Sequence, residues 1–264
     1  MPLIPVDSLE DPRLEPFRQL KGTNRTHEMG MMVAESVRVV RRLVESECQT
    51  VSLLVSQRKV EKFSRWLPDG LPVYVIDHDQ AEQLIGFDFH SGVLGCGIRP
   101  LPPLLDELVD TETSRQSLVV CPRVTDPENL GVIIRLAAAF GISGMLLGPG
   151  TADPFSRRAL RVSMATALTM PLYFSEDIGE DLQQLRRRHA FQVVGTVASE
   201  SAIPLPDARR PERMALMFGN EAHGLEPDLV GLCDEVWTIP LPGEIDSINV
   251  AVAAGIFLYA ISRP

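Results

Sequence analysis

Lysine is nearly missing from this chain. Of its 25 basic residues, Lys21, Lys59 and Lys62 are lysines and the other 22 are arginines. Cysteine is scarce too: Cys48, Cys96, Cys121 and Cys233 lie far apart, with no C-x-x-C and no closely spaced histidines. That pattern argues against a zinc site or a disulfide framework and fits a reducing cytoplasm. Apolar runs are broken by Gly, Asn or Arg before they reach membrane-spanning length, so no membrane segment is expected. The N-terminal MPLIPVDSLEDPRLEPF has no basic region followed by an apolar core, so no signal peptide is expected. The phosphate-loop, dinucleotide-binding, nucleophile-elbow and H-E-x-x-H motifs are all missing. Internal repeats and low-complexity tracts are missing as well.

The formal charge of −10, taken alone, argues against a nucleic-acid partner. Its distribution softens the objection. Arginines cluster at Arg38, Arg41 and Arg42, at Arg157, Arg158 and Arg161, at Arg186 to Arg188, and at Arg209, Arg210 and Arg213. A guanidinium fork suits phosphate because it bonds two oxygens at once. Equally, each cluster can be an ordinary solvated helix face.

The 264 residues suffice for two domains. Helical spacing of Met31, Val37, Val40 and Val44 predicts a helix over 27–45. TVSLLVS (50–56), LPVYVID (71–77) and SGVLGCGI (91–98) read as strands. QRKVEKFSRWL (57–67) and HDQAEQLIG (78–86) read as helices. Residues 1–100 thus form a small α/β domain, and a proline-rich, acidic stretch over 101–116 reads as a linker. Over 117–264 strand and helix alternate again: SLVVC, a helix over 127–140, GMLLG, the helix PFSRRALRVSMATAL, PLYF, the helix DIGEDLQQLRRRHA, FQVVGTV, RMALMFG, VWTIPL, and a final helix SINVAVAAGIFLYAIS. This predicts an α/β fold with a mainly parallel sheet and helices on both faces.

Ligands of such sheets bind beyond the carboxyl ends of the strands. Three loops there carry unexpected polar residues. In DPENLGVIIRLAAAFG (126–141), Asp126 is a plausible N-cap with Pro127 at the first helical position. Arg135 sits inside an apolar helix, beside the small residues Gly131 and Ala138; it is either an internal ion pair or a group with work to do. In FGNEAHGL (218–225), two glycines bracket Asn220, Glu221 and His223, permitting either close approach to a ligand or a plain solvated turn. His223 reads as a rim residue. In IPLPGEIDSINVAVAAG (239–255), Ser247 is expected to cap a helix with Asn249 in its first turn. That last helix is apolar on every face, which predicts burial all round, in the monomer core or against a second subunit. A Ser247–His223–Asp246 triad is ruled unconvincing, because adjacent Asp246 and Ser247 would have to serve opposite ends of one imidazole.

Together these segments resemble the SpoU (TrmH-like) RNA ribose methyltransferases of the SPOUT superfamily. NLGVIIRLAAAFG matches N-x-G-x-x-x-R-x-A-x-x-x-G, GNEAHGL matches G-N-E-x-x-G-L, and IPLPGEIDSINVAVA matches I-P-[ML]-x-G-x-x-[ED]-S-L-N-V-[SA]-x-A. Departures are mild: Ile248 for leucine, Asp246 for glutamate, and Leu136 and Ala138 where Thr and Asp are frequent. The resemblance covers about 118–264. The N-terminal domain looks similar to the small RNA substrate-binding domain of many members, related to kink-turn-binding proteins. The resemblance implies a trefoil-knotted sheet, a homodimer through the C-terminal domain, and S-adenosylmethionine as cofactor, with no metal. It places the cofactor against Val197, Phe218, Gly219, Asn220 and Ile239. Leu241, Ser247, Ile248 and Asn249 complete that surface. Catalysis falls to Arg135, helped by Asn129, Glu221, Ser247 and Asn249, with one subunit's Arg135 near the cofactor of the other. A guanidinium gives up its proton only at very high pH, so a charged Arg135 gripping phosphate and steadying the alkoxide accounts for the same requirement as a base.

The expected activity is 2′-O-methylation of ribose in structured RNA, ribosomal or transfer RNA, with ribosomal RNA preferred. A non-catalytic RNA-binding or ribosome-assembly factor that kept the fold is the alternative, and a small-molecule α/β enzyme comes third.

Overall fold

The computed structural model describes residues 3–21, 25–63, 66–67, 69–243 and 247–262, with the backbone alone at Arg25. In the first part of the chain, β1 (Leu3–Pro5), α1 (Arg25–Glu28), β2 (Met31–Glu35), α2 (Val37–Glu45) and β3 (Thr50–Ser56) precede α3 (Val60–Phe63), β4 (Val73–Ile76), α4 (His78–Ile85) and β5 (Val93–Ile98). There follow β6 (Gln116–Cys121), α5 (Pro127–Ala139), β7 (Gly144–Leu147), α6 (Arg157–Val162), β8 (Leu172–Phe174) and α7 (Ile178–His189). The chain continues through β9 (Gln192–Thr196), β10 (Ile203–Pro204), β11 (Arg213–Met217), α8 (Pro227–Val230), β12 (Glu235–Thr238) and α9 (Val250–Ser262). Two compact units result: residues 1–101 with 155–169, and 102–154 with 170–264.

The first unit holds a five-stranded sheet in the order β1-β4-β3-β5-β2. β1, β4 and β3 run parallel, while β5 is antiparallel to both β3 and β2. TVSLLVS is a strand over its whole length, and its last five residues are buried. The single helix expected over 27–45 is incorrect. Gly30 takes a φ of +66°, and MMVAE then pairs with β5 from Met31 opposite Ile98 onward. Met32, Val33 and Ala34 are buried in a row, so this segment follows a buried-strand pattern and only α2 carries helical spacing. The expected helix over 57–67 is a 3-10 turn at Gln57–Lys59 followed by the single-turn α3; residues 64, 65 and 68 lie outside the described ones. In α6, Arg157 pairs with Glu35 and lies 3.9 Å from the centre of the Phe87 ring. α6 stops at Val162, short of the expected helix end, because Met164 and Ala165 turn left-handed at φ of 55° and 62°.

The second unit holds seven parallel strands in the order β10-β12-β9-β11-β6-β7-β8. On one face Leu118, Val120, Val193, Ala215 and Met217 pack with Ile178, Leu182 and Leu185 of α7. The stretch read as a linker joins this core: Leu105, Leu108 and Val109 are buried in it, because LLDELV carries enough apolar surface to bury itself. Arg213 fastens the same stretch by donating to the carbonyls of Asp110 (2.9 Å) and Thr113 (2.8 Å). Among the described residues no helix is long and apolar enough to cross a membrane.

Candidate functional site

β6 ends at Cys121, and the chain turns through Thr125 into α5. Asp126 caps that helix, accepting the Glu128 N–H at 2.8 Å, with Pro127 in the first turn. The capped start leaves the amide of Asn129 free to face the neighbouring strand end. There β11 runs out into the Gly219–Leu225 loop. Gly219 is required: a Cβ on it would lie 2.2 Å from the carbonyl carbon of Gly224 and 2.4 Å from the nitrogen of Leu225. Asn220 closes the loop by exchanging backbone hydrogen bonds with Gly224 at 2.8 and 2.9 Å. Its side-chain oxygen accepts from Ala222 and His223 N–H, and its amide donates to the Arg123 carbonyl at 3.1 Å. Gly224 completes the turn at φ +67°.

The loop projects Glu221 back onto the start of α5. One carboxylate oxygen accepts from the N–H of Asp126 (2.9 Å) and the amide of Asn129 (3.1 Å). The other accepts from the N–H (3.1 Å) and hydroxyl (3.0 Å) of Thr125 and from the Asn220 amide (3.3 Å). Burial by itself would raise the pKa of Glu221, but the backbone donors of Asp126, Glu221 and Thr125, with Asn129, hold it below the ordinary carboxylate range. Glu221 is therefore ionised at neutral pH.

A third strand end completes the relay. Asn249 donates from its amide to the Asn129 side-chain oxygen at 3.0 Å. Its own oxygen accepts from Ala251 (2.9 Å) and Val252 (3.3 Å) N–H. Asn249, not Ser247, is therefore the cap of α9, and the helix starts at Val250, two residues later than the reading from Ser247. Ser247 lies before the helix, on the wall of a cleft.

That cleft has a volume of about 390 Å³. Val197, Phe218, Gly219, Asn220 and Glu221 line it, with Ile239, Leu241, Ser247 and Ile248 opposite. The structure thus brings all the expected cofactor-binding residues to one place except Asn249, which sits in the relay beside it. His223 also lines the cleft; Asp246, the third member of the discounted triad, lies outside the described residues. Residues not singled out from the sequence share the wall: Thr196 and Thr238 at strand ends, and Ala253 and Phe257 from α9. Only the rule that ligands sit at strand carboxyl ends pointed to the threonines. Thr125, next to the N-cap, was also missed. A second cavity of similar volume, about 390 Å³, lies on the other side of the Gly219–Leu225 loop, lined by Pro122, Arg123, Pro149 and Asp177. The loop is the common wall of the two. Among the described residues no group of three or more His, Cys, Asp or Glu side chains could hold a metal ion.

Arg135 stands apart from these residues. It is exposed, on the outer face of α5, and belongs neither to the relay nor to the cleft wall. α9 buries Ala251, Ala254, Phe257, Leu258 and Ile261, while Val252, Ile256 and Tyr259 are 56%, 40% and 50% exposed. These positions recur at helical spacing, so one apolar stripe of α9 faces outward. α9 packs on α5, and Phe140 and Tyr259 meet edge-on at 6.1 Å, so the helix pair exposes both Arg135 and an apolar stripe.

The sequence model of the SpoU rRNA Methylase family matches residues 116–259, which hold all three strand-end segments. This chain belongs to that family. It is 32% identical, over 96% of its length and 90% of the relative's, to an uncharacterized tRNA/rRNA methyltransferase of Mycobacterium bovis. It is also 32% identical, over 74% of its length and 80% of the relative's, to the 23S rRNA (guanosine-2′-O-)-methyltransferase of Acinetobacter baylyi. Among solved structures, the AdoMet-bound rRNA methyltransferase from Sinorhizobium meliloti superposes with a TM-score of 0.81 at 27% identity, covering 98% of this chain and 97% of that one. In this SpoU-family chain two of the arginine clusters serve the fold. Arg186 bonds the Leu232 carbonyl and Asp234, Arg188 pairs with Asp106, and Arg210 bonds Ser117. Arg38 and Arg158, both in the first unit, are exposed.

Proposed function

We propose that this chain methylates a ribose 2′-hydroxyl in structured RNA, ribosomal RNA in preference to transfer RNA, using S-adenosylmethionine. The observation that carries this reading is the Glu221–Asn129–Asn249 relay standing beside the 390 Å³ cleft at the carboxyl ends of parallel strands. The cleft suits the cofactor: its volume lies in the range of small-molecule sites, its wall is apolar at Phe218, Leu241, Ile248 and Phe257, and its strand-end backbone supplies polar groups. Bound there, the cofactor would supply a sulfonium methyl to the ribose oxygen, the methyl–sulfur bond breaking to leave the neutral thioether, and the hydroxyl proton would pass to solvent water. The chain's own residues orient the hydroxyl and hold the charge that develops on its oxygen. Asn129 and Asn249 present amide N–H groups for that purpose, and Ser247 stands at the cleft edge. Arg135, as a permanent cation, grips the adjacent phosphate and steadies the oxyanion.

The apolar stripe exposed on α9, with Arg135 exposed on the helix it packs against, supports a homodimer through the second unit. There the Arg135 of each subunit serves the cleft of the other. The trefoil knot of the family is part of the same reading, as are a cytoplasmic location and RNA capture by the first unit. Purified protein incubated with methyl-labelled S-adenosylmethionine and total RNA tests it. Labelled 2′-O-methylnucleosides are expected from the wild type, and none from Arg135→Ala. RNA binding without cofactor binding would instead favour a non-catalytic assembly factor.

A further inference from the structure

Glu221 has no acceptor capacity left. A carboxylate offers about four lone-pair directions, and five donors already converge on this one: Thr125 N–H and hydroxyl, Asp126 N–H, and the amides of Asn129 and Asn220. Two come from one residue, Thr125, and both reach the same oxygen at 3.1 and 3.0 Å. The Thr125 hydroxyl oxygen is itself approached by the Asn220 amide at 3.5 Å, so its proton points at Glu221. These bonds join the loop that walls both cavities to the first turn of α5.

We propose that Thr125 is a positioning residue for methyl transfer: it fixes Glu221 as a clamp between the Gly219–Leu225 loop and the start of α5, and Glu221 takes no proton from the substrate. The proposal rests on the methyltransferase reading and sharpens it. To act as base, Glu221 would have to give up one of its donors at the moment the site closes on RNA. What the relay does offer the ribose is N–H. Asn129 uses one amide N–H on Glu221 and Asn249 uses one on Asn129, and each nitrogen carries a second. Donors suit a developing oxyanion and cannot accept a proton. The anion of Glu221 polarises that chain, and Thr125 keeps the anion in place.

The test compares Thr125→Val, which keeps the shape without the hydroxyl, Thr125→Ser, which restores it, and Glu221→Gln. Amide hydrogen exchange is followed in peptides covering 123–129 and 218–226, with a peptide from β3 as a control for global folding. Single-turnover methyl transfer to RNA is measured against pH. Thr125→Val is expected to lose protection in both peptides but not in β3, and to slow transfer by about tenfold, the size of one charge-assisted hydrogen bond. Thr125→Ser recovers both. Glu221→Gln is slower than wild type with an unchanged pH-profile shape. Wild-type protection and rate in Thr125→Val would overturn the clamp. Loss, in Glu221→Gln, of an acid limb present in the wild type would show Glu221 to be the base. If the wild type transfers no methyl, the functional reading fails, and the exchange data still decide whether the clamp exists.

Discussion

The side-chain amide of Asn249 donates to the side-chain carbonyl of Asn129 across 3.0 Å, joining the cap of α9 to the first turn of α5. One residue therefore has two duties that substitution can separate. Asn249→Ala loses the cap as well as the relay and is expected to cost about 1 kcal/mol of stability, together with activity. Asn249→Asp keeps a capping oxygen but removes the donor to Asn129, so thermal unfolding stays near wild type while methyl transfer falls. Equal loss of activity and stability in both variants would contradict the division.

Gly219→Ala examines the loop from the inside. The new methyl has nowhere to go, since backbone atoms of Gly224 and Leu225 occupy its place. Overpacking of this kind costs about 1–3 kcal/mol, and here the loop moves to relieve it. Calorimetry should show S-adenosylmethionine affinity reduced at least about tenfold, as the cleft wall shifts.

Glu221 also sets a pH dependence. Its folded-state pKa is depressed below the ordinary 4.5, so its contribution to stability is fully present above that value and is lost as pH falls through the lower folded one. The difference in unfolding midpoint between wild type and Glu221→Gln should be constant above about pH 5 and shrink below it. A difference that grows on acidification would mean the group is protonated in the fold.

RNA affinity should map to the first unit. Arg186, Arg188, Arg210 and Arg213 are engaged within the second unit, whereas Arg38 and Arg158 are exposed. The double variant Arg38→Ala with Arg158→Ala should raise KM for RNA severalfold, leave kcat nearly unchanged, and reduce the salt dependence of binding by about two counterions. Cofactor affinity should not move.

Much of this was legible in the sequence, and the failures have physical causes. Strands such as TVSLLVS and SLVVC are short apolar runs with no competing pattern. MMVAE was misread because a buried strand and one face of a helix look alike over five residues, and only Gly30 marks the break. α9 reads as apolar on every face, and hydropathy alone does not separate a face covered within one chain from one left open; Val252, Ile256 and Tyr259 face outward. For Arg135 an apolar helix left an internal ion pair and a functional group equally open, and its exposure is what the structure adds. Asn129, Glu221 and Asn249 stood out as polar residues at strand ends. Thr125 did not, because a threonine beside an N-cap is ordinary until a carboxylate from 96 positions away is seen to meet it.

The central claim is that this chain methylates a ribose of cellular RNA and that Arg135 is indispensable for it. Arg135 is exposed, so Arg135→Ala should fold with stability within about 0.5 kcal/mol of wild type. The most direct measurement maps 2′-O-methyl sites across ribosomal and transfer RNA from cells lacking the gene, and from the same cells complemented with wild type or with Arg135→Ala. The account predicts one ribose, in ribosomal RNA, that loses its methyl group in the deletion, regains it with wild type, and does not regain it with Arg135→Ala. An unchanged ribose-methylation map, or full restoration by Arg135→Ala, would contradict it.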